Sequence, residues 1–317
     1  MITDYGVKGL IGAGLRAKPT PMSEMIDSLA KDVDSQVPAG SSERLDFLGA
    51  VPALRKWVGS RQAKMVLQQF QTAVLEKFEG TVDIPLDLLV NDKTGQVQEI
   101  AGALPLRKRH WKNKLIFDLI NNGGGSTNGT AFDGQNFFSG SHTWNGQSYD
   151  NDLTHAAATG TVPTANEAAD AICEAINQLY SFVDDQGEPI NEDITSLTIV
   201  TNPTIGNTVL QAVKSQHLDT GTGVRDNPVQ GWANAAGLKL SVIISPRHTD
   251  TDAFVLLNSS PNACPLVFVE NMKEQKVTSK SAGSDYEHDN DAWQYGIKAV
   301  GVGAYGRFTD AILMTFT

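Results

Sequence analysis

The sequence is short of cysteine: its 317 residues include two, Cys173 and Cys264. Two thiols are too few for a disulfide framework or a cysteine-based zinc site, and they fit a reducing compartment. The amino terminus lacks the basic and then apolar segments of a signal peptide. No apolar run approaches the ~20 residues that span a bilayer. We therefore expect a soluble protein made in the cytoplasm.

Positive charge is scarce as well. The chain has 25 Lys and Arg against 36 Asp and Glu, a formal net charge of -11. A protein whose main task was to coat nucleic acid would need surplus cations, because they neutralise the phosphates. A local basic patch is not excluded by this balance.

Catalytic signatures are missing too. The sequence contains no G-x-S-x-G elbow and no P-loop. Residues 301–306 have the spacing of a dinucleotide-binding motif, but only 11 residues follow Gly306, too few to complete a βαβ unit. The weaker match at 12–17 follows no strand of useful length. Both glycine patterns indicate kinked strands or turns.

Hydrophobic residues make up 40% of the chain, enough for a sizeable core, and 29 glycines indicate many turns. Apolar periodicity and capping residues predict helices over 20–36, 95–121, from Thr164 onward, and from Asn202 to about 214. Gly102 and Pro105 should kink or break the second of these. Strands are predicted over 197–200, 238–245, 254–258, 265–270 and in the tail from 293. The class is α+β.

Residues 59–85 alternate in polarity but lack the apolar runs of a buried strand, which predicts an extended two-stranded excursion. Such an element needs another molecule to cover it. Phe70, Leu75 and Phe78 are the side chains expected to make that contact. Residues 62–82 should therefore be dispensable for folding one subunit and necessary for its assembly.

A basic cluster stands out in this acidic chain. Residues 107–114 hold five fixed positive charges, beginning with Arg107, Lys108 and Arg109. One interpretation is the solvated face of a helix. The other is contact with acidic groups of a neighbouring subunit or with DNA.

The 133–155 loop, within a Gly/Asn-rich segment over 122–163, offers the alternatives to a structural protein. His142, Asp150, Asp152 and His155 lie within it and could serve a metal-dependent hydrolase. No helix fixes their geometry, however, and a polar surface loop is the more common explanation. The loop's aromatic side chains also allow a carbohydrate-binding or adhesive module.

Several segments stand out when they are read in order. They are FLG at 47–49 with RKWVGSR at 55–61, KFEGTV at 77–82, NDKTG at 91–95, FDGQNFFSGSH at 132–142 and, more weakly, Asn227-Pro228. Together they resemble the Mu-like major head subunit family, gpT. Asn91 stands where the family has an acidic residue, and Phe132 where it has tyrosine. The resemblance covers roughly residues 45–145.

The resemblance implies the α+β fold of tailed-phage and herpesvirus major capsid proteins. It assigns an N-terminal arm to 1–45, the start of a peripheral domain to 46–56 and an extended loop to 57–85. The peripheral domain continues over 86–199 with a spine helix at about 95–121. An axial domain follows over 200–265, and 266–317 return to the peripheral domain.

The same resemblance implies a major capsid protein that assembles into hexamers and pentamers of an icosahedral shell enclosing double-stranded DNA. Further copies, a scaffolding protein, the portal, cement proteins and packaged DNA on the inner face are the implied partners, with no membrane. No scaffolding domain is visible after Met1, so we expect a separate scaffolding protein. No cofactor, metal or catalytic residue is implied, and replacing His142 or Asp150 by Ala should leave assembly largely intact.

Overall fold

The computed structural model describes residues 4–17, 21–48, 68–91, 95–144, 146–158, 160–184 and 187–317. Its helices are α1 Asp4–Arg16, α2 Pro21–Asp27, α3 Leu86–Asn91, α4 Gln96–Asn121, α5 Ala165–Ser181, α6 Pro203–Lys214, α7 Pro228–Ala236 and α8 Asp285–Asn290. No helix in these ranges is long and apolar enough to cross a membrane.

The strands are distributed along the whole described chain. They are β1 Ala30–Asp34, β2 Ser42–Leu48, β3 Gln68–Val74, β4 Glu76–Pro85, β5 His142–Trp144, β6 Gln147–Tyr149, β7 Asp152–His155, β8 Ser196–Thr201, β9 His217–Asp219, β10 Val224–Asp226, β11 Lys239–Ile244, β12 Ala253–Asn258, β13 Leu266–Glu270, β14 Lys276–Lys280, β15 Ala292–Tyr305 and β16 Ala311–Phe316. The predicted α+β class is confirmed.

The first five-stranded sheet, sheet I, is built around the 14-residue strand β15. One edge of β15 pairs antiparallel with β13 and then with β14, and the other edge pairs antiparallel with β4. Strand β1 adds to β13 in parallel. Helix α4 packs across this sheet, where Gly301 and Gly303 leave room for Trp111 and Leu119.

The second five-stranded sheet, sheet II, has the order β11-β8-β12-β16-β7. All six residues of β12 are buried, so both of its faces are covered. Helices α5, α6 and α7 pack against one another, and α5 and α6 pack against this sheet. The carboxyl-terminal strand β16 pairs with β12 and β7.

Strands β2 and β3 form a separate antiparallel ladder. Ser42 pairs with Val74 at its base, and Leu48 pairs with Gln68 at the far end of the described part. We call this element the ladder. Two further short ladders join β5 to β6 and β9 to β10.

The helix termini follow the sequence closely. The side chains of Thr164 and Glu167 form a reciprocal capping box at the start of α5. The Asn202 side chain accepts a hydrogen bond from the Thr204 amide at the start of α6. The predicted break of α4 at Gly102 and Pro105 does not occur, and the helix is continuous from Gln96 to Asn121. Pro105 is buried against α1, where Gly14 lies so close that a Cβ would be 2.7 Å from the proline ring.

Four sequence-based boundaries need correction. The helix predicted over 20–36 ends at Asp27, because residues 30–34 pair with β13 as β1. Residues 76–85 are β4 of sheet I and not part of a free excursion. The outgoing strand of the ladder begins at Ser42, inside the predicted arm. Strands β7, β8 and β16 lie in sheet II beside β11 and β12 of the predicted axial range, although the predicted peripheral domain (86–199 and 266–317) contained β7, β16 and most of β8. Residues 57–67 of the predicted extended loop lie outside the described residues.

Two short segments, 259–265 between β12 and β13 and 306–310 between β15 and β16, connect strands of the two sheets, and we call them together the junction. The amide of Gly306 donates to the Pro265 carbonyl at 2.9 Å, and that of Arg307 to the Cys264 carbonyl at 2.7 Å. The carboxylate of Asp310, which is 1% exposed, accepts from the Arg307 side chain at 2.8 Å and from the Cys264 amide at 2.9 Å. Burial raises the pKa of Asp310, and the Arg307 charge opposes that rise.

Candidate functional site

The basic cluster lies on α4, and three of its cations are held within the subunit. Lys108 Nζ lies 2.8 Å from a Glu270 carboxylate oxygen in sheet I. Lys112 Nζ lies 3.1 Å from Asp27 and 2.8 Å from Asp32, on α2 and β1. Arg109 donates to the carbonyl of Ala17, just after α1. These cations fasten the amino-terminal elements and sheet I to α4.

The other side of α4 carries cations without such ion pairs. Its residues Arg107, His110 and Lys114 are exposed, and the ion pairs among the described residues do not include them. Of the three predicted contact residues Arg107, Lys108 and Arg109, only Arg107 is therefore both exposed and unpaired within the described chain. Neighbours in sequence lie on different faces of a helix, so cations that are adjacent in the sequence do not form one cluster in space.

The three side chains predicted to contact a neighbour also lie in different environments. Phe70 is 54% exposed, with the Arg44 guanidinium 4.3 Å from its ring centre. Phe78 is half-buried, with its ring centre 5.0 Å from that of Trp111 on α4. Leu75 is 1% exposed and packs in its own subunit's core, because the chain turns there from the ladder into sheet I. Leu75 is thus unavailable to a neighbour, which corrects that part of the prediction.

His142 is a buried structural residue of the 122–163 loop. Its Nδ1 lies 2.7 Å from Asp133 Oδ2, and its Nε2 lies 3.1 Å from the Phe137 carbonyl oxygen. The imidazole stacks on Phe308 with a centroid distance of 3.9 Å. Burial alone would raise the pKa of Asp133, but its bonds to His142 and to the amides of Gln135 and Thr143 lower it overall.

The other candidate metal ligands do not converge on His142. His155 Nδ1 pairs with Glu174 at 2.9 Å on α5, and Asp150 accepts the amide of Asp152 at 3.0 Å. Burial, followed by the nearby charge of Asp150, raises the pKa of Asp152. In the part of the chain that the structure describes, no cluster of three or more His, Cys, Asp or Glu could hold a metal ion.

The loop's aromatic side chains anchor it to the core. Phe137, Phe138, Trp144 and Tyr149 are all buried, and the Tyr149 hydroxyl donates to the Val183 carbonyl at 2.8 Å. Buried rings offer no platform for stacking on a sugar, so the loop does not support the carbohydrate-binding alternative.

The two thiols are also poorly placed for chemistry. Burial, with the charge of Asp170, raises the pKa of Cys173 to about 11. Burial likewise raises the pKa of Cys264 at the junction. A reactive cysteine needs a lowered pKa, because the thiolate is the nucleophile.

What the geometry does offer is a set of exposed surfaces: the ladder and the free face of α4. The family model of the Mu-like prophage major head subunit gpT matches residues 12–168, which include both. This chain belongs to the Mu-like gpT family of major head subunits. Over 101 residues it is 31% identical to the major capsid protein of Escherichia phage Mu, and that match spans 32% of this chain and 32% of the phage Mu protein.

Solved structures show the fold of this head subunit. It is similar to a capsid chain of an empty GTA particle, with a TM-score of 0.59 and 15% identity over 95% of this chain and 92% of that chain. A capsid chain of Cyanophage P-SCSP1u gives a TM-score of 0.58 and 12% identity over 92% and 87%. A chain of the bacteriophage PhiM1 mature capsid gives 0.57 and 12% over 92% and 86%. The predicted tailed-phage capsid fold is confirmed.

Sequence reasoning missed the junction. Arg307 and Asp310 stand three residues apart, a spacing that allows an ion pair, but nothing local marks Asp310 as buried. Its burial depends on the crossing of two segments that are far apart in sequence.

Proposed function

We propose that this head subunit assembles into hexamers and pentamers of an icosahedral shell that encloses double-stranded DNA in the virion. It acts as a structural protein and not as an enzyme. Sheet I with α4 serves as the peripheral domain, sheet II with α5 to α7 as the axial domain, and the ladder as the described part of the extended loop.

The ladder is the observation that carries the proposal. Its two strands pair with each other and with no other strand in the described ranges. Phe70 and Val74 on β3 are each 54% exposed. An isolated two-stranded element is marginal in water, so an element of this kind gains stability when a neighbouring molecule covers it. In a shell, neighbouring copies of the subunit would cover the ladder.

Other partners follow from the same proposal. A separate scaffolding protein would set the curvature of the shell, the portal would occupy one vertex, and cement proteins would bind the outer surface. Packaged DNA would lie against the inner face. The net charge of -11 supports a shell that surrounds its DNA without coating it tightly.

Particle mass tests the proposal directly. The purified protein, alone and expressed with its scaffolding protein, is examined by analytical ultracentrifugation and electron microscopy. We expect capsomers or closed shells. If the protein stays a monomer or dimer under both conditions, it is not a shell subunit. Hydrolytic turnover lost on replacing Asp150 by Ala would instead favour the hydrolase.

A further inference from the structure

The exposed face of α4 carries Arg107, His110 and Lys114. Their spacings of three and four residues place them on one side of the helix, over about 10 Å of its length. We call these residues the basic stripe. All three are exposed, and among the described residues none forms an ion pair with a carboxylate.

A second charged surface lies at the turn between β14 and β15. Residues 283–291, which include α8, contain Asp285, Glu287, Asp289 and Asp291. We call this the acidic turn. Its shape is fixed from inside, because Glu287 accepts a hydrogen bond from the Trp293 indole at 2.8 Å and another from the Gly283 amide at 2.6 Å. Asp285, Asp289 and Asp291 remain exposed.

The two surfaces do not neutralise each other within one subunit. The acidic turn ends where β15 begins, at Ala292. The groove that Arg107 lines is formed on sheet I by Ile297 and Ala299. At ~3.3 Å per residue these positions lie about 16–23 Å further along the strand, beyond ion-pair distance.

We propose that the basic stripe of one head subunit binds the acidic turn of a second copy. The inference rests on the proposed function and names the surfaces that meet. The charges are complementary, which favours this register over like-charged alternatives. The two surfaces differ, so the contact is heterologous and can close subunits into a ring.

The surroundings of the stripe favour a protein partner over nucleic acid. Asp27, Asp32 and Glu270 neutralise Lys112 and Lys108 on the other side of α4. The free positive charge is therefore confined to the three side chains of the stripe, too few to follow a phosphate backbone along α4. A compact acidic turn matches a patch of this size.

Charge exchange tests the contact. One variant carries R107E and K114E, a second carries D285K and D289K, and a third carries all four substitutions. We expect each double variant to lower the particle yield roughly tenfold at low salt, with a smaller loss at high salt, because exposed ion pairs are screened. The fourfold variant should recover most of the yield.

Matched controls separate this effect from net charge and from folding. K214E with K239E changes the net charge as R107E with K114E does, on exposed residues of α6 and β11. This control should assemble normally. Glu287 and Asp291 are left unchanged because Glu287 shapes the turn and Asp291 has a positive φ of 47°. Thermal unfolding of each subunit reports folding. If a reversal variant fails to fold, R107Q with K114Q replaces R107E with K114E, and D285N with D289N replaces D285K with D289K.

The outcomes are distinct. Folded double variants that lose particles, together with recovery in the fourfold variant, support the contact. Normal yield from R107E with K114E, or no recovery in a folded fourfold variant, overturns it. Shells of normal yield that package less DNA would assign the stripe to nucleic acid and also overturn it. Failure of the unaltered protein to form particles would count against the proposed function itself.

Discussion

Gly306 lies where two backbones nearly touch, since a Cβ built on it would be 2.0 Å from the carbonyl oxygen of Cys264. Backbone atoms cannot rotate away as a side chain can. We expect Gly306→Ala to lower the free energy of unfolding by about 1–3 kcal/mol or more. Gly102→Ala is the control, because no atom lies within 4 Å of its Cβ and alanine favours a helix. Equal unfolding temperatures for the two variants would contradict this explanation.

The hydrogen bond between Asp133 and His142 connects the two ends of the segment 133–142. We expect Asp133→Asn to cost about 1–3 kcal/mol of unfolding free energy at neutral pH, because the charged hydrogen bond is lost. The pKa of Asp133 is lowered from 3.8 in the folded protein. Its ionised form thus stabilises the fold above that pH, and the contribution is lost as the pH falls through the folded pKa.

Denaturant titrations of the two proteins measure this difference. The difference in unfolding free energy between the unaltered protein and Asp133→Asn should become smaller below about pH 4. Glu192→Gln, at an exposed position, should show no such difference at any pH. A difference that stays constant down to the acid limit would mean that the carboxylate charge is not what stabilises the segment. His142 is fully buried, so His142→Ala should destabilise the subunit. The sequence-based expectation that replacement by Ala leaves assembly largely intact therefore applies to Asp150 alone.

At the scale of elements, the ladder can be shortened without touching the sheets. Leu45 pairs with Gln71, so replacing 46–70 by Asn-Gly leaves a two-residue hairpin turn on an intact base. We expect the unfolding temperature of the subunit to change little and closed particles to disappear. Electron microscopy and calorimetry measure the two effects.

The replacement of 62–82 that the sequence suggested is the contrasting variant. It removes buried Leu75 and most of β4, which pairs with β15. This variant should fail to fold, contrary to the sequence-based expectation that these residues are dispensable. Shells formed by the 46–70 replacement would show that the ladder is not an assembly element.

The sequence predicted elements well where local signals decide them. The capping residues of α5 and α6 and the apolar runs of β8 and β12 were all recognisable. The failures came from non-local pairing. Val33 fits a helical stripe, yet it lies in β1 because β13 provides a partner edge. Strand β4 has exposed and half-buried alternation, and only its pairing with β15 makes it part of a sheet.

At the scale of the whole molecule, Arg307 and Asp310 stabilise the junction between the sheets. We expect Arg307→Met to cost about 3–5 kcal/mol near neutral pH, because it leaves a buried carboxylate unpaired. Burial raises the pKa of Asp310, so the unpaired charge is avoided by protonation when the pH falls. The cost should therefore shrink as the solution approaches about pH 4.

Adding Asp310→Asn to Arg307→Met removes the charge at every pH. This double variant should be more stable than Arg307→Met near neutral pH, and its unfolding free energy should depend less on pH. If Arg307→Met alone loses the same stability at both pH values, packing and not charge explains the role of Arg307.

The candidate surfaces were predictable in part. The composition of 107–114 identified α4 as charged, but which cations stay free depends on where Asp27, Asp32 and Glu270 lie in space. The proposed function rests on the resemblance to the gpT family, because the elements alone left the function open.

Strand β15 also determines when sheet I can fold during synthesis. Ala292 pairs with Pro85, roughly 200 residues earlier in the chain, so the contact is strongly non-local and slow to form. During synthesis, β4 must wait until β15 has left the ribosome. Sheet I, and with it the packing of α4, therefore forms only in chains that include β15. Chains terminated before β15 cannot build this sheet and should be excluded from growing shells, which gives assembly a check on the integrity of each subunit.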